Sequence, residues 1–134
     1  MKFIIAILLG VFMNDSVTSK TKLENFDDLF VGSPDDIEKN MASLLPEAKN
    51  KADKSIYVQI LSQIAVAQAM QQKIEKAHGT LKKSENYLSK DDFTARIRIH
   101  LSRGRILHQA HKFSLAISSF EKAYALALQN KLDY

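Results

Sequence analysis

The sequence predicts an all-α protein of about five helices that stack as antiparallel hairpins. Apolar residues recur every three or four positions through most of the chain after residue 33, which is the spacing of one face of a helix. The pattern also repeats, with separations of 40 and 39 positions. These separations occur in two sets of apolar residues: Ile37, Ala77 and Ala116, and Met41, Leu81 and Phe120. A fixed period of this length indicates a helical solenoid.

Length and composition limit the alternatives. The chain has 134 residues, of which 46% are hydrophobic and 25% charged, as in an ordinary globular protein of one small domain. It contains no cysteine, which excludes a disulfide framework, a thiol nucleophile and a thiolate metal site. The formal net charge of +4 is mild and scattered, so charge alone does not predict nucleic-acid binding.

The amino terminus resembles an export signal. Lys2 precedes the apolar run 3–13, which is shorter than the roughly 20 residues that a membrane-spanning helix needs. Small or modest side chains precede a cut after Ser19, so residues 1–19 are expected to be a signal peptide of a periplasmic or secreted protein. An uncleaved segment that anchors the protein to the membrane is the alternative.

Residues 20–33 form a predicted linker, called here the acidic lid. Its carboxylates surround three apolar side chains that are expected to lie on the first helix: Glu24, Asp27 and Asp28 around Phe26, Leu29 and Phe30. Ser33 as N-cap and Pro34 in the first turn then predict a helix over 34–50, which forms half a repeat. Pro46 is expected to bend or weaken it near its last turn.

Two helical hairpins follow, at 54–88 and 93–129, so the repeat domain covers 34–130. The helix 54–72 is apolar almost all round and must therefore be covered on two sides. Asp91 or Asp92 is expected to cap the helix that starts near Phe93.

The hairpin around residues 104–123 has the most distinctive spacing. Small Gly104 and Ala116 would let two antiparallel helices approach closely, while Phe113 and Phe120 would fill the space beside that contact. This resembles the tetratricopeptide repeat, whose small, large, aromatic, alanine, aromatic and alanine positions are matched in order by Gly104, Leu107, Phe113, Ala116, Phe120 and Ala123. The preceding hairpin matches with Ala65, Ile74, Ala77 and Leu81, and departs from the pattern at Gln68 and Ser84.

The resemblance implies a right-handed α-α superhelix and a non-enzymatic module that binds a peptide or partner protein in a concave groove. The positions that line the groove in that family are here Gln59, Gln63, Val66, Met70, Arg98, Ser102, Arg105 and Gln109. Two arginines suit a peptide with a carboxylate or an acidic side chain. Alternatively, Arg98 and Arg105 solvate an exposed helix face or pair with the acidic lid near Asp27 and Asp28.

The last helix is expected to keep an uncovered apolar side, formed by Ile117, Phe120, Tyr124, Leu126 and Leu128. Three explanations stay open: a homo-oligomer through this side, docking onto a partner, or a chain that is a truncated piece of a longer array from a signalling or sensory protein.

Catalysis, cofactors and metals are not expected. His108 and His111 share a helix face, but no carboxylate or fourth ligand accompanies them. The acidic pairs are adjacent in sequence, so on a helix they point about 100° apart and cannot converge for acid–base work. Four glycines supply no phosphate-binding loop.

Nucleic-acid binding is a less favoured alternative. It would use the arginines of the helix that starts near Phe93, namely Arg96, Arg98, Arg103 and Arg105. Arg103 points roughly 160° away from Arg105, so the four do not form one face.

Overall fold

The computed structural model describes residues 23–50 and 53–131, and every regular element in these ranges is helical. A 3-10 turn at Phe26–Leu29 precedes six α-helices: α1 (Pro34–Ala42), α2 (Leu45–Asn50), α3 (Lys54–Met70), α4 (Ile74–Asn86), α5 (Phe93–Gln109) and α6 (Phe113–Gln129). The all-α prediction is confirmed, whereas the predicted signal segment 1–19 lies outside the described residues. In the described ranges, none of the helices has the length and apolar character needed to cross a membrane.

Helices α3 and α5 begin at aspartate caps. The Asp53 carboxylate accepts a hydrogen bond from the backbone N–H of Ile56 at 3.2 Å, and the Asp92 carboxylate accepts one from Ala95 at 3.1 Å. Each bond satisfies one of the amide groups that the first turn of a helix leaves without an intrahelical partner. The predicted cap before Phe93 is thereby confirmed and belongs to Asp92.

The predicted helix 34–50 is two helices, because α1 ends at Ala42 and α2 begins at Leu45. Pro46 has no N–H to bond the Ala42 carbonyl four residues earlier, and its ring would clash with that carbonyl. Ser33 also differs from expectation: its hydroxyl donates to Asp36 at 2.8 Å and makes no cap bond to the backbone.

The turns that join α3 to α4 and α5 to α6 are built alike. Gln72 and His111 adopt left-handed backbone conformations, with φ of 65° and 61°. The next residue in each turn donates its N–H to a carbonyl five positions earlier, at 3.0 Å from Lys73 and 2.9 Å from Lys112. This bond is typical of a Schellman helix terminus. These equivalent turns are 39 positions apart, so the backbone conformation repeats with the same period as the apolar residues.

Successive helices pack so that each hairpin lies against the preceding helices. α3 lies against α1, α4 and α5, and α5 lies against α3, α4 and α6. Twelve of the seventeen residues of α3 are buried, which confirms that this helix is covered on two sides. One hydrophobic cluster joins α1, α2 and α3 with the 3-10 turn, and a second joins α3, α4 and α5.

Most of the predicted packing residues are buried, namely Ala65, Ala77, Leu81, Gly104, Leu107, Ala116 and Ala123. Phe120 is half-buried beside Gly104. Phe113 differs from expectation, because its side chain is 50% exposed and does not fill the space between helices. As the first residue of α6 it contacts the turn instead, with its ring edge-on to His108 and His111 at 5.3 and 5.7 Å between centroids.

A polar network that the sequence did not predict joins α1, α3 and α4. Glu38 accepts hydrogen bonds from Gln68 at 2.9 Å and Gln71 at 2.8 Å, and Thr80 donates to Gln68 at 2.7 Å. Burial works to raise the pKa of Glu38, but these amides and the Lys76 charge outweigh it, so the pKa lies below its ordinary value. The buried Gln68, which departs from the repeat pattern, is therefore paired.

Candidate functional site

The described part of the acidic lid, residues 23–33, lies across the predicted groove. The Asp27 carboxylate accepts two hydrogen bonds from the Arg98 guanidinium, at 2.8 and 2.5 Å, although the two residues are 71 positions apart. Gln63 of α3 donates to the same carboxylate at 3.0 Å. A bidentate arginine–carboxylate pair fixes orientation as well as distance. Two predicted groove residues, one from each helix, thus converge on a single carboxylate of the same chain.

Aromatic side chains hold the lid on either side of this ion pair. Phe26 is 4% exposed and belongs to the cluster formed with α1, α2 and α3. The guanidinium carbon of Arg98 lies 5.5 Å from the Phe26 ring centroid, and that of Arg105 lies 5.0 Å from the Phe30 centroid. Both arginines therefore contact an aromatic face at cation–π distance. The lid lies on α5 as well as on the first helix, where the sequence predicted it.

A cleft of about 250 Å³ adjoins the ion pair, lined by Gln63, Arg98, Leu101, Ser102, Arg105 and Phe120. Four of the predicted groove residues are in this lining. In the described part of the chain, no carboxylate forms an ion pair with Arg105. Burial lowers the pKa of the Arg105 guanidinium from its ordinary value, although a guanidinium stays charged at neutral pH. Among the described residues, the cleft therefore presents a guanidinium without an ion-pair partner beside an apolar wall.

The other four predicted groove residues do not line this cleft. Val66 is 1% exposed, so it has no surface for a partner, and this part of the prediction is wrong. Gln59 is 8% exposed and donates to Ser55 at 2.9 Å. Met70 is half-buried, and Gln109 accepts a hydrogen bond from Gln72 at 3.3 Å. The close packing of α3 between its neighbours explains the burial of Gln59 and Val66.

The four arginines of α5 lie on two faces. Arg98 and Arg105 face the lid, whereas Arg103 pairs with Glu85 of α4 at 2.7 Å. Arg96 donates to the backbone carbonyl of Lys90 at 3.0 Å. These contacts divide the positive charge, so α5 carries no continuous stripe of four arginines for a phosphate backbone.

The face of α5 that carries Arg103 also contains a half-buried histidine. Nδ1 of His100 is inaccessible to solvent and has no hydrogen-bond partner in the described ranges. Burial, followed by the charge of Arg103 and then of Lys122, lowers the pKa of His100, and the Glu85 charge opposes this. The folded protein thus favours the neutral imidazole.

We expect the free energy of unfolding to decrease as the pH falls below about 6.5, the ordinary histidine pKa. Below that value the unfolded chain binds the proton more readily than the folded chain, so the contribution of neutral His100 is complete above it and lost on acidification. Urea titrations at pH 7.5 and pH 5.5 measure this decrease. His100→Asn should reduce it, and the same change at exposed His111 should not. An equal decrease in the His100 variant would contradict the assignment.

The lid is the part of the site for which the sequence predicts the fewest specific contacts. As the alternative to a peptide-binding groove, the sequence predicts that Arg98 and Arg105 solvate a helix face or pair with the lid, and the structure shows the pairing of Arg98 with Asp27. The informative signal was the spacing of aromatic and acidic residues in 26–30, which puts a carboxylate between two rings. Comparisons of the chain with protein-family models, with curated proteins and with solved structures find no match.

Proposed function

We propose that this protein is a non-enzymatic interaction module that binds an acidic–aromatic segment of a partner protein in the groove between α3 and α5. The observation that supports this is the position of Asp27, which lies in the groove as the side chain of a bound peptide would, held by Arg98 and Gln63. The acidic lid then serves as an internal ligand, and a partner segment of similar chemistry replaces it. The helical hairpins form a right-handed tetratricopeptide-like stack in this proposal.

The chemistry of the groove supports an acidic ligand in particular. Arg98 supplies a planar fork that matches a carboxylate, and Arg105 adds a second cation next to it. The aromatic contacts of both arginines with the lid indicate that the ligand also carries aromatic side chains. A partner segment would reproduce both features of the lid.

The first experiment measures how tightly the full chain binds a fluorescent peptide, LENFDDLF, which copies residues 23–30. Because the chain's own lid competes at high effective concentration, the native protein should bind the peptide weakly. Asp27→Ala should release Arg98 and Gln63 and raise the affinity about 10-fold, by the loss of one charge-assisted competitor. Fluorescence polarisation gives the dissociation constants.

Asp28→Ala is the matched control, since Asp28 is the exposed neighbouring carboxylate. It should leave the affinity unchanged. Adding Arg98→Ala to Asp27→Ala should abolish binding, and a peptide with asparagine in place of the first aspartate should bind poorly. Equal effects of Asp27→Ala and Asp28→Ala, or no binding by any variant, would disprove the proposal.

Nucleic-acid binding gives a different result in the same assay. A labelled oligonucleotide should bind with a steep salt dependence and should weaken when either Arg96 or Arg103 is replaced. Peptide binding in the groove should need Arg98 and be unaffected by Arg103→Ala.

The proposal places the module outside the cytoplasm, because residues 1–19 have the composition of a signal peptide. Amino-terminal sequencing of the expressed protein distinguishes a cut after Ser19 from an uncleaved anchor.

A further inference from the structure

Helix α6 has an exposed apolar stripe on the side that does not contact α5. Its four outermost side chains are Phe113, Ile117, Tyr124 and Leu128, which are 50%, 58%, 67% and 62% exposed. They are separated by four, seven and four positions, so they lie on one face of the helix. Leu126, predicted to be on this side, instead packs with Ile97 and Ala123.

The separations between the four stripe residues, four, seven and four positions, read the same from either end of the helix. If a second α6 lies antiparallel to the first, with a two-fold axis between Phe120 and Glu121, Phe113 faces Leu128 of the second copy and Ile117 faces its Tyr124. Each large apolar side chain then meets another large apolar side chain. A two-fold interface requires this self-complementarity, because the same surface must serve both copies.

The surface beside the stripe suits helix packing. A hollow of about 110 Å³, lined by Ile97, Leu101, Phe120, Ala123, Tyr124 and Ala127, lies between α5 and α6. A shallower one is lined by Ile117, Phe120, Glu121 and Tyr124. Side chains of an opposing helix insert into such spaces when two helices pack.

The side-chain charges of α6 balance overall, and one of them lies near the proposed axis. The helix carries one acidic residue, Glu121, and one basic residue, Lys122, so its side chains are neutral overall. Lys122 lies about 140° round the helix from Ile117, away from the stripe. Glu121 borders the stripe near the proposed axis, where it would approach its own counterpart.

We propose that a second copy of this chain packs against the α6 stripe, antiparallel and about a two-fold axis, so that the protein is a dimer with two outward grooves. The stripe excludes the carboxylate-binding residues of the groove, so this proposal can fail without affecting peptide binding. It also accounts for four large apolar side chains that are each at least half exposed along one face of a helix.

Analytical ultracentrifugation of the full chain over a range of concentrations tests the dimer. Ile117→Glu should raise the dimer dissociation constant by at least about 100-fold, because each copy then buries a charge opposite an aromatic ring. Leu115→Glu is the matched control: Leu115 is 57% exposed on the same helix but about 160° from Ile117. It should not change the dissociation constant. Glu121→Gln should lower it.

Disulfide trapping tests the orientation, since the native chain contains no cysteine. Glu121→Cys alone should crosslink to its counterpart beside the axis. Phe113→Cys and Leu128→Cys should not crosslink alone, but should crosslink when the two variants are mixed. Self-crosslinking of Phe113→Cys would indicate parallel helices and overturn the arrangement. A monomer, or an association that Ile117→Glu leaves unchanged, would overturn the proposed interface.

Discussion

Replacing Leu81 by alanine is expected to lower the free energy of unfolding by about 2–5 kcal/mol, the range for truncating a large core side chain. Leu81 is 1% exposed and lies in the cluster that joins α3, α4 and α5. Its removal leaves a cavity that three helices border, and their backbones are held by contacts on other sides. Urea unfolding followed by circular dichroism measures the change.

Leu115→Ala is the control for this prediction because it removes the same atoms from a side chain that is 57% exposed. Its effect should stay within about 0.5 kcal/mol. If both variants lost similar free energy, α4 would not be packed between α3 and α5 as described.

Replacing Gly104 by leucine is expected to destabilise the protein by about 1–3 kcal/mol, as overpacking does. A Cβ atom at Gly104 would lie 2.5 Å from the ring of Phe120, closer than nonbonded carbon atoms approach. Leucine has the better helix propensity by roughly 0.8 kcal/mol, so the expected loss arises from the contact between α5 and α6. Urea unfolding quantifies the loss.

Gly79→Leu provides the matched control within helix α4. No atom outside its local helix lies within 4 Å of a Cβ placed there, so the change should be neutral or stabilise by up to about 1 kcal/mol. Phe120→Ala added to Gly104→Leu should recover part of the loss, because it removes the ring that the new side chain meets. A loss at Gly79 as large as that at Gly104 would show that the α5–α6 contact is not responsible.

The repeat period was predictable because apolar residues recur at fixed separations along the sequence. Ile37, Ala77 and Ala116 are each at most 2% exposed, and Met41 and Leu81 at most 1%. These positions, 39 or 40 residues apart, are therefore similarly buried. Phe120 is the exception, being half-buried beside the open hollows next to α6. The right-handed superhelix and the membership of the tetratricopeptide family stay predictions.

The helix positions that form the candidate site were predictable from the sequence. Which of their side chains are accessible in the groove was much less predictable. The wheel of α5 placed Arg98 and Arg105 on one strip, and both contact the lid. The burial of Val66 was missed, because one sequence pattern fits both a groove position and a position between two packed helices. The sequence predicts Phe113 in the interior from its residue type, whereas in the structure its ring contacts His108 and His111 at the turn.

The sequence by itself determined where α3 to α6 lie, that an aspartate caps α5 and where the chain repeats, because these depend on residues within about one helical turn or on a regular period. Only the tertiary structure decided which partner each polar side chain finds. Asp27 meets Arg98 across 71 positions, and Glu38 meets Gln68 across 30. Such pairs depend on how the hairpins stack and where the lid crosses them. The spacing of apolar residues along the chain does not specify that geometry.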